Sequence, residues 1–209
     1  MQSRKHWENI YTTKDATQLS WFQQHPELSF QFIEHTGVGK AGQIVDVGGG
    51  ASTLVDDLLA NEYENVTVLD ISATALEVAQ QRLGQLASKV TWREANITQA
   101  ELPYSFYDIW HDRAVFHFLT DAEDRVRYVK AVQHSVKTGG HVVVATFGLD
   151  GPLRCSGLEV IRYSADSLHE EFGDEFELVD STTELHQTPF GTEQKFIYCY
   201  CLKESKQLA

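Results

Sequence analysis

The run Gln43-Ile44-Val45-Asp46-Val47-Gly48-Gly49-Gly50 decides the fold. It is a short apolar segment stopped by three glycines, and Leu54, Val55, Leu58 and Leu59 then recur at helical spacing. That order predicts a buried strand, a sharp turn and a helix. Asp46 sits near the strand end, and glycines after it let the backbone approach a ligand lying over the helix N-terminus. The dinucleotide fingerprint would need a glycine where Thr53 stands, which argues against an NAD-dependent oxidoreductase. No Lys-Ser/Thr pair follows the glycines, which excludes a phosphate-binding P-loop.

Strand–helix alternation continues outward from this turn. Residues 66–70 (VTVLD) predict a second strand ending at Asp70. Ser72 predicts an N-cap for a helix with Leu76, Ala79, Leu83 and Leu86 along its inner face. Residues 89–96 (KVTWREAN) and 106–111 (FYDIWH) predict the third and fourth strands, with His111-Asp112-Arg113 as the turn that leaves the fourth. Thr120 and Glu123 have the form of a capping box. It would open a helix facing inward through Val126, Val129, Val132 and Val136 and ended by Gly139-Gly140. A fifth strand at 141–147, a helix at 164–173 and two strands around the Thr188–Gly191 turn complete the chain. The expected class is α/β: a Rossmann-like, doubly wound, mostly parallel seven-stranded sheet with an antiparallel C-terminal hairpin strand. Residues 42–209 form this core and residues 1–41 a helical flank or lid, the whole a single domain.

Composition limits the partners. The chain has 209 residues, 42% hydrophobic and 22% charged, with a net charge of −13. Nucleic acid needs clustered Lys/Arg, and anionic membranes need the same, so neither partner is expected. No apolar run approaches spanning length, and residues 1–15 have no apolar signal-peptide core. Cys155, Cys199 and Cys201 lack CxxC spacing, which fits a reducing cytoplasm and gives no metal site. Composition leaves the oligomeric state open.

Asp46-x-Gly48-x-Gly50, Asp70 and the residues Glu94-Ala95-Asn96-Ile97 resemble the class I S-adenosylmethionine-dependent methyltransferases. The resemblance covers Gln43 to about Phe147. It implies that S-adenosylmethionine is the cofactor and S-adenosylhomocysteine the product. Asp46, Gly48, Gly49, Gly50 and Ser52 would border the methionine part, with Ser52 standing where a further glycine is frequent. Asp70 would hold the ribose, Ile71 would pack on the adenine, and Asn96 and Ile97 would hold its edge. The flank, with Trp7, Tyr11, Trp21, Phe22 and His25, is similar to thiopurine-type small-molecule S-methyltransferases. There the aromatics at Trp7, Tyr11 and Trp21 would cover the cofactor.

Ligands in such sheets bind beyond the carboxyl ends of the strands. His111, Asp112 and Arg113 are therefore the candidate catalytic residues, His111 as a base that also touches the cofactor and Arg113 as an anion stabiliser. Trp21, Phe22, Arg113, His117 and Arg154 are candidate substrate contacts. The expected activity is methyl transfer to a small acceptor, best a thiol or sulfide. The alternatives are a protein-lysine methyltransferase and a cofactor-binding scaffold without catalysis.

Overall fold

The computed structural model describes residues 4–204. Its centre is a seven-stranded sheet in the order β3-β2-β1-β4-β5-β9-β8. The strands are β1 (Gln43–Val47), β2 (Asn65–Asp70), β3 (Val90–Glu94), β4 (Tyr107–Arg113), β5 (Val136–Phe147), β8 (Phe176–Gln187) and β9 (Glu193–Lys203). The first five pair in parallel; β9 runs antiparallel between β5 and β8. Two short strands, β6 (Arg154–Cys155) and β7 (Leu158–Glu159), form a separate hairpin. The chain reverses direction across the sheet between β1 and β4, which opens a crevice at their carboxyl ends.

Parity along the strands builds a core on each face. Val45, Val47, Trp110, Val142, Val144, Cys199 and Cys201 point to one face. Helices α5 (Ala122–Ser135) and α6 (Ala165–Phe172) cover them through Val129, Val132, Leu168 and Phe172. Ile44, Val66, Val68 and Ile109 point to the other, against α2 (Glu27–His35), α3 (Leu54–Ala60) and α4 (Ala73–Leu83). Cys199 and Cys201 are thus packing residues, two apart on one side of β9.

Ser72 caps α4 as its sequence predicts, accepting a bond from the Ala75 amide. The inner face of α4 holds Leu76 and Ala79, but Leu86 is exposed because Gly84, at φ 56°, turns the chain into a 3₁₀ segment. The start of α5 differs from expectation. Asp121, not Thr120, is the cap, accepting from the Glu123 amide. Val129, Val132 and Val136 face inward as expected, joined by Tyr128 and Ser135, whereas Val126 faces solvent. Gly139-Gly140 does not end this helix either. Val136 already has extended backbone, and the glycines lie in an irregular stretch of β5 where pairing with β4 skips from Val136 to His141. Lys203 satisfies the helix end by donating to the carbonyls of Gln133 and Val136.

The flank crosses the carboxyl edge of the sheet. In α1 (Arg4–Thr13), Glu8 accepts from the Ala73 and Thr74 amides at 2.7 and 3.3 Å and from the Thr74 hydroxyl at 2.5 Å. A carboxylate on a helix's first free N–H groups fastens α1 across the start of α4. Glu8→Ala removes that fastening, worth about 1–2 kcal/mol. The expected result is release of S-adenosylhomocysteine roughly tenfold faster in stopped-flow displacement.

Candidate active site

Two adjoining clefts open at the β1/β4 crevice. The first has about 790 Å³ of empty space, part of it open to solvent. Its walls include Trp7, Tyr11, Trp21, Asp70, Ile71, Asn96, Ile97, Val115 and Phe118. The second is lined by the glycine turn, Ser52, Asp46, His111, Phe22 and Leu19. Tyr11, Trp21, Gly48 and Arg113 line both and mark the junction.

The glycine turn is shaped by close approach. Gly48 takes φ 72°, and a Cβ there would fall 2.0 Å from Val115 Cγ2. Arg82 holds the turn from outside, donating to the carbonyls of Ala51 and Ser52 at 3.0 and 2.6 Å while pairing with Asp56. Asp70 ends β2 as a buried carboxylate that accepts from the Ser72 amide at 2.8 Å. Burial pushes its pKa up to about 7, against the amides of Ser72, Gly50 and Ile71, with the charge of Asp46 adding to the rise. Asn96 bends back on its own loop, its side-chain oxygen accepting from the Thr98 amide and hydroxyl at 3.2 and 3.1 Å. That engages the side-chain carbonyl within the loop and leaves the amide N–H₂ as the donor side of the residue toward the adenine edge that the resemblance implies.

His111, Asp112 and Arg113 are not a turn. They are the last residues of β4, and the turn comes at Ala114, φ 76°. Strand parity then separates them. His111 and Arg113 face the clefts. Asp112 faces the opposite core, where it accepts from the Val115 and Phe116 amides at 2.8 and 3.1 Å and from the Tyr128 hydroxyl at 2.6 Å. Asp112 lines neither cleft, which removes it from the catalytic candidates and makes it the brace of the turn carrying Val115.

Arg113 is buried and bound. It donates to Glu184 at 3.0 and 3.3 Å, to the Tyr198 hydroxyl at 3.0 Å and to the Trp21 carbonyl at 3.1 Å, over the Phe196 ring. Burial acts to lower its pKa, but Tyr198 and Glu184 outweigh it and hold the guanidinium charged. His117 lies in the core, where its Nδ1 accepts from the Phe147 amide at 3.2 Å. Burial, with Arg113 nearby, lowers its pKa to about 3, so it is a neutral packing residue and touches neither cleft. Arg154 is an exposed partner of Glu159 on the β6–β7 hairpin and is likewise no cleft residue. Trp7, edge-on to Trp21 and Phe118 at 5.9 and 5.0 Å, roofs the first cleft with Tyr11. Cys155 also borders it, but burial lifts its thiol to about 12, so it is no nucleophile.

Residues 44–140 match the family model described as a methyltransferase domain. The chain carries this match over just under half of its length. Its fold agrees closely with that of an S-adenosylmethionine-dependent methyltransferase from Anabaena variabilis: TM-score 0.75, 13% identity, covering 98% of this chain and 96% of that one. A structure described as conversion of a disulfide bond into a thioacetal group during echinomycin biosynthesis gives TM-score 0.79 at 14% identity, covering 98% and 94%. Among curated proteins, the mouse eEF1A lysine and N-terminal methyltransferase is 23% identical over 123 residues, 58% of this chain. The aligned part is 17% of that relative's length, so this chain corresponds to a fraction of it.

The chain's own residues fit S-adenosylmethionine, the cofactor that the resemblance implies. A cradle of three glycines admits backbone-close contact; a Cβ at Gly50 would meet the Asp70 carboxylate at 2.5 Å. Asp70 would offer its carboxylate to ribose hydroxyls, and Ile71, Ile97, Val115 and Leu119 line the same cleft as apolar walls for a base. Three supporting residues escaped sequence reading: Glu8, Arg82 and Glu184. Each acts on a partner far along the chain and carries no local motif.

Proposed function

We propose that this protein is an S-adenosylmethionine-dependent methyltransferase that acts on a small acceptor with a thiol or sulfide nucleophile. The observation that carries this reading is Arg113, a buried guanidinium in the wall of both clefts at their junction. Glu184 offsets the guanidinium charge, but the Nη1 and Nη2 hydrogens that Glu184 and the Trp21 carbonyl leave over would donate to an anionic nucleophile and offer no acceptor to an ammonium. A thiol, with pKa about 8.5, reaches its reactive anion cheaply, whereas a lysine ammonium, near about 10.4, must first lose a proton beside that cation.

When bound, S-adenosylmethionine supplies an electrophilic methyl group on a sulfonium. The protein's part is alignment and exclusion of water. Trp7, Tyr11 and Trp21 close the cleft from the flank, and Phe22 adds apolar surface beside the junction. Glu184, Tyr198 and the Trp21 carbonyl keep the Arg113 plane from swinging, so its charge stays where the nucleophile enters. The aromatic flank, similar to that of thiopurine-type S-methyltransferases, supports the same acceptor class.

A second reading, a protein-lysine methyltransferase, is favoured by the similarity to the mouse eEF1A lysine and N-terminal methyltransferase and by a net charge of −13 that would attract a basic protein. Release of S-adenosylhomocysteine, measured with sulfide, small thiols, thiopurines and lysine peptides, separates the two. Turnover on the sulfur acceptors is expected; turnover on peptides alone overturns the proposal.

A further inference from the structure

We infer that His186 is a positioning residue for the methyl acceptor: it holds a strap, residues 20–23, so that Trp21 stays against Arg113 at the cleft junction. This rests on the reading above of that junction as the place where the acceptor enters. The strap links the 3₁₀ turn Ala16–Gln18 to α2 and puts Trp21 and Phe22 into the cleft walls. It has neither helix nor strand of its own. Its local backbone bond runs from the Phe22 amide to the Leu19 carbonyl at 3.0 Å.

A segment with so little internal pairing takes its position from groups outside it. His186 Nε2 donates to the Ser20 carbonyl at 2.8 Å, and Arg113 Nη1 donates to the Trp21 carbonyl at 3.1 Å. Thr53 Oγ1 donates to the Gln23 carbonyl at 2.7 Å, and Gln23 Nε2 in turn donates to Glu184 Oε1 at 2.6 Å. The Ser20 carbonyl can only accept, which fixes the His186 proton on Nε2. Burial, with Arg113 nearby, lowers the His186 pKa, so the neutral ring has that single N–H to give.

The successive carbonyls of Ser20 and Trp21 are therefore gripped from two strands, β8 and β4. One bond would let the peptide between them swing; two fix its plane and with it the direction of Trp21. Glu184 and His186 stand two apart on one face of β8, and neither lines a cleft. The edge strand thus reaches the acceptor only through the strap and Arg113. The residues suited to adenosine, Asp70, Ile71, Asn96 and Ile97, follow the ends of β2 and β3, outside this grip. A wall displaced by about 1 Å is enough to slow an in-line transfer.

Steady-state methyl transfer, calorimetry with S-adenosylhomocysteine and limited chymotrypsin digestion of the full chain test this. His186→Phe keeps the bulk of the ring and removes the donor; His186→Gln keeps an N–H near the Nε2 position. His186→Phe is expected to raise the acceptor KM about five- to tenfold, as for one lost hydrogen bond, with S-adenosylhomocysteine affinity within about twofold of wild type. Chymotrypsin, which cuts after aromatic residues, should cleave at Trp21 or Phe22 several-fold faster in that variant. His186→Gln should restore both. Should His186→Phe fail to fold, Gln23→Met, which removes the bond to Glu184, takes its place with the same expectation. KM and cleavage unchanged from wild type overturn the inference. So does a His186→Gln protein as impaired as His186→Phe, or equal weakening of S-adenosylhomocysteine and acceptor. A wild type that turns over no sulfur acceptor overturns the proposed acceptor class instead, and the strap is then judged by cleavage, a distinguishable failure.

Discussion

Gly50→Ala is expected to weaken S-adenosylhomocysteine binding by about 100-fold or more, read by calorimetry. The new Cβ would lie 2.5 Å from Asp70 Oδ2 and 2.7 Å from the Ala75 Cβ. Ala75 is in the first turn of α4 and has nowhere to go, so the carboxylate must move. Moving it breaks the 2.8 Å bond from the Ser72 amide and takes the acceptor away from the ribose hydroxyls. Each charge-assisted bond lost costs about 1.5–3 kcal/mol, and the ribose supplies two. Gly39→Ala is the control: a Cβ there meets nothing within 4 Å, and binding should be unchanged. Wild-type affinity should also rise as pH increases through about 7, where Asp70 becomes the carboxylate that accepts those bonds. The folded-state pKa lies above the unfolded one, so the contribution of Asp70 to folding runs the other way. It is fully present below the unfolded value and is lost as pH rises through about 7.

Asp112→Ala should lower the stability of the fold by about 3–5 kcal/mol. Three donors, the Val115 and Phe116 amides and the Tyr128 hydroxyl, lose their shared acceptor inside a fully buried site. For a chain of this size the melting temperature should drop by roughly 6–20 °C in calorimetry. Burial raises the Asp112 pKa to about 7 against the pull of Tyr128 and Val115, and Asp112→Asn, which keeps one of the two acceptor oxygens, should lose less than Asp112→Ala. An Asp112→Asn protein that melts like wild type yet transfers no methyl group would restore the catalytic role that the sequence suggested.

Asp112 also shows where sequence reading stopped. The pattern His111-Asp112-Arg113 identified a polar strand end at the crevice, and that location holds. Sequence could not say that β4 continues through Arg113 before turning, and a strand that runs two residues longer sends alternate side chains to opposite faces. His111 and Arg113 consequently reach the clefts while Asp112 faces the core with Tyr128. Tyr128 adds a partner 16 positions away with no motif linking it. In α5 the expected inner residues Val129, Val132 and Val136 are buried, while Val126 is exposed and the cap falls one residue later than expected. Asp121 and Thr120 are both capping types, and the structure has Asp121 accepting from the Glu123 amide while Tyr128 packs against Trp110 and Phe116.

What the sequence by itself determined is the alternating order of strands and helices, the glycine turn after Asp46, the acidic end of β2 at Asp70 and the aromatic flank. These are local patterns, set by backbone sterics and hydrophobic period, and they need no distant partner. Tertiary structure alone decided which polar residues face the clefts. It joined Asp46 to His111 across two strands, tied Arg113 to Glu184, and laid Glu8 on the start of α4. Each of these is a pairing between segments distant in the chain, and its energy exists only once the sheet has brought the two ends together.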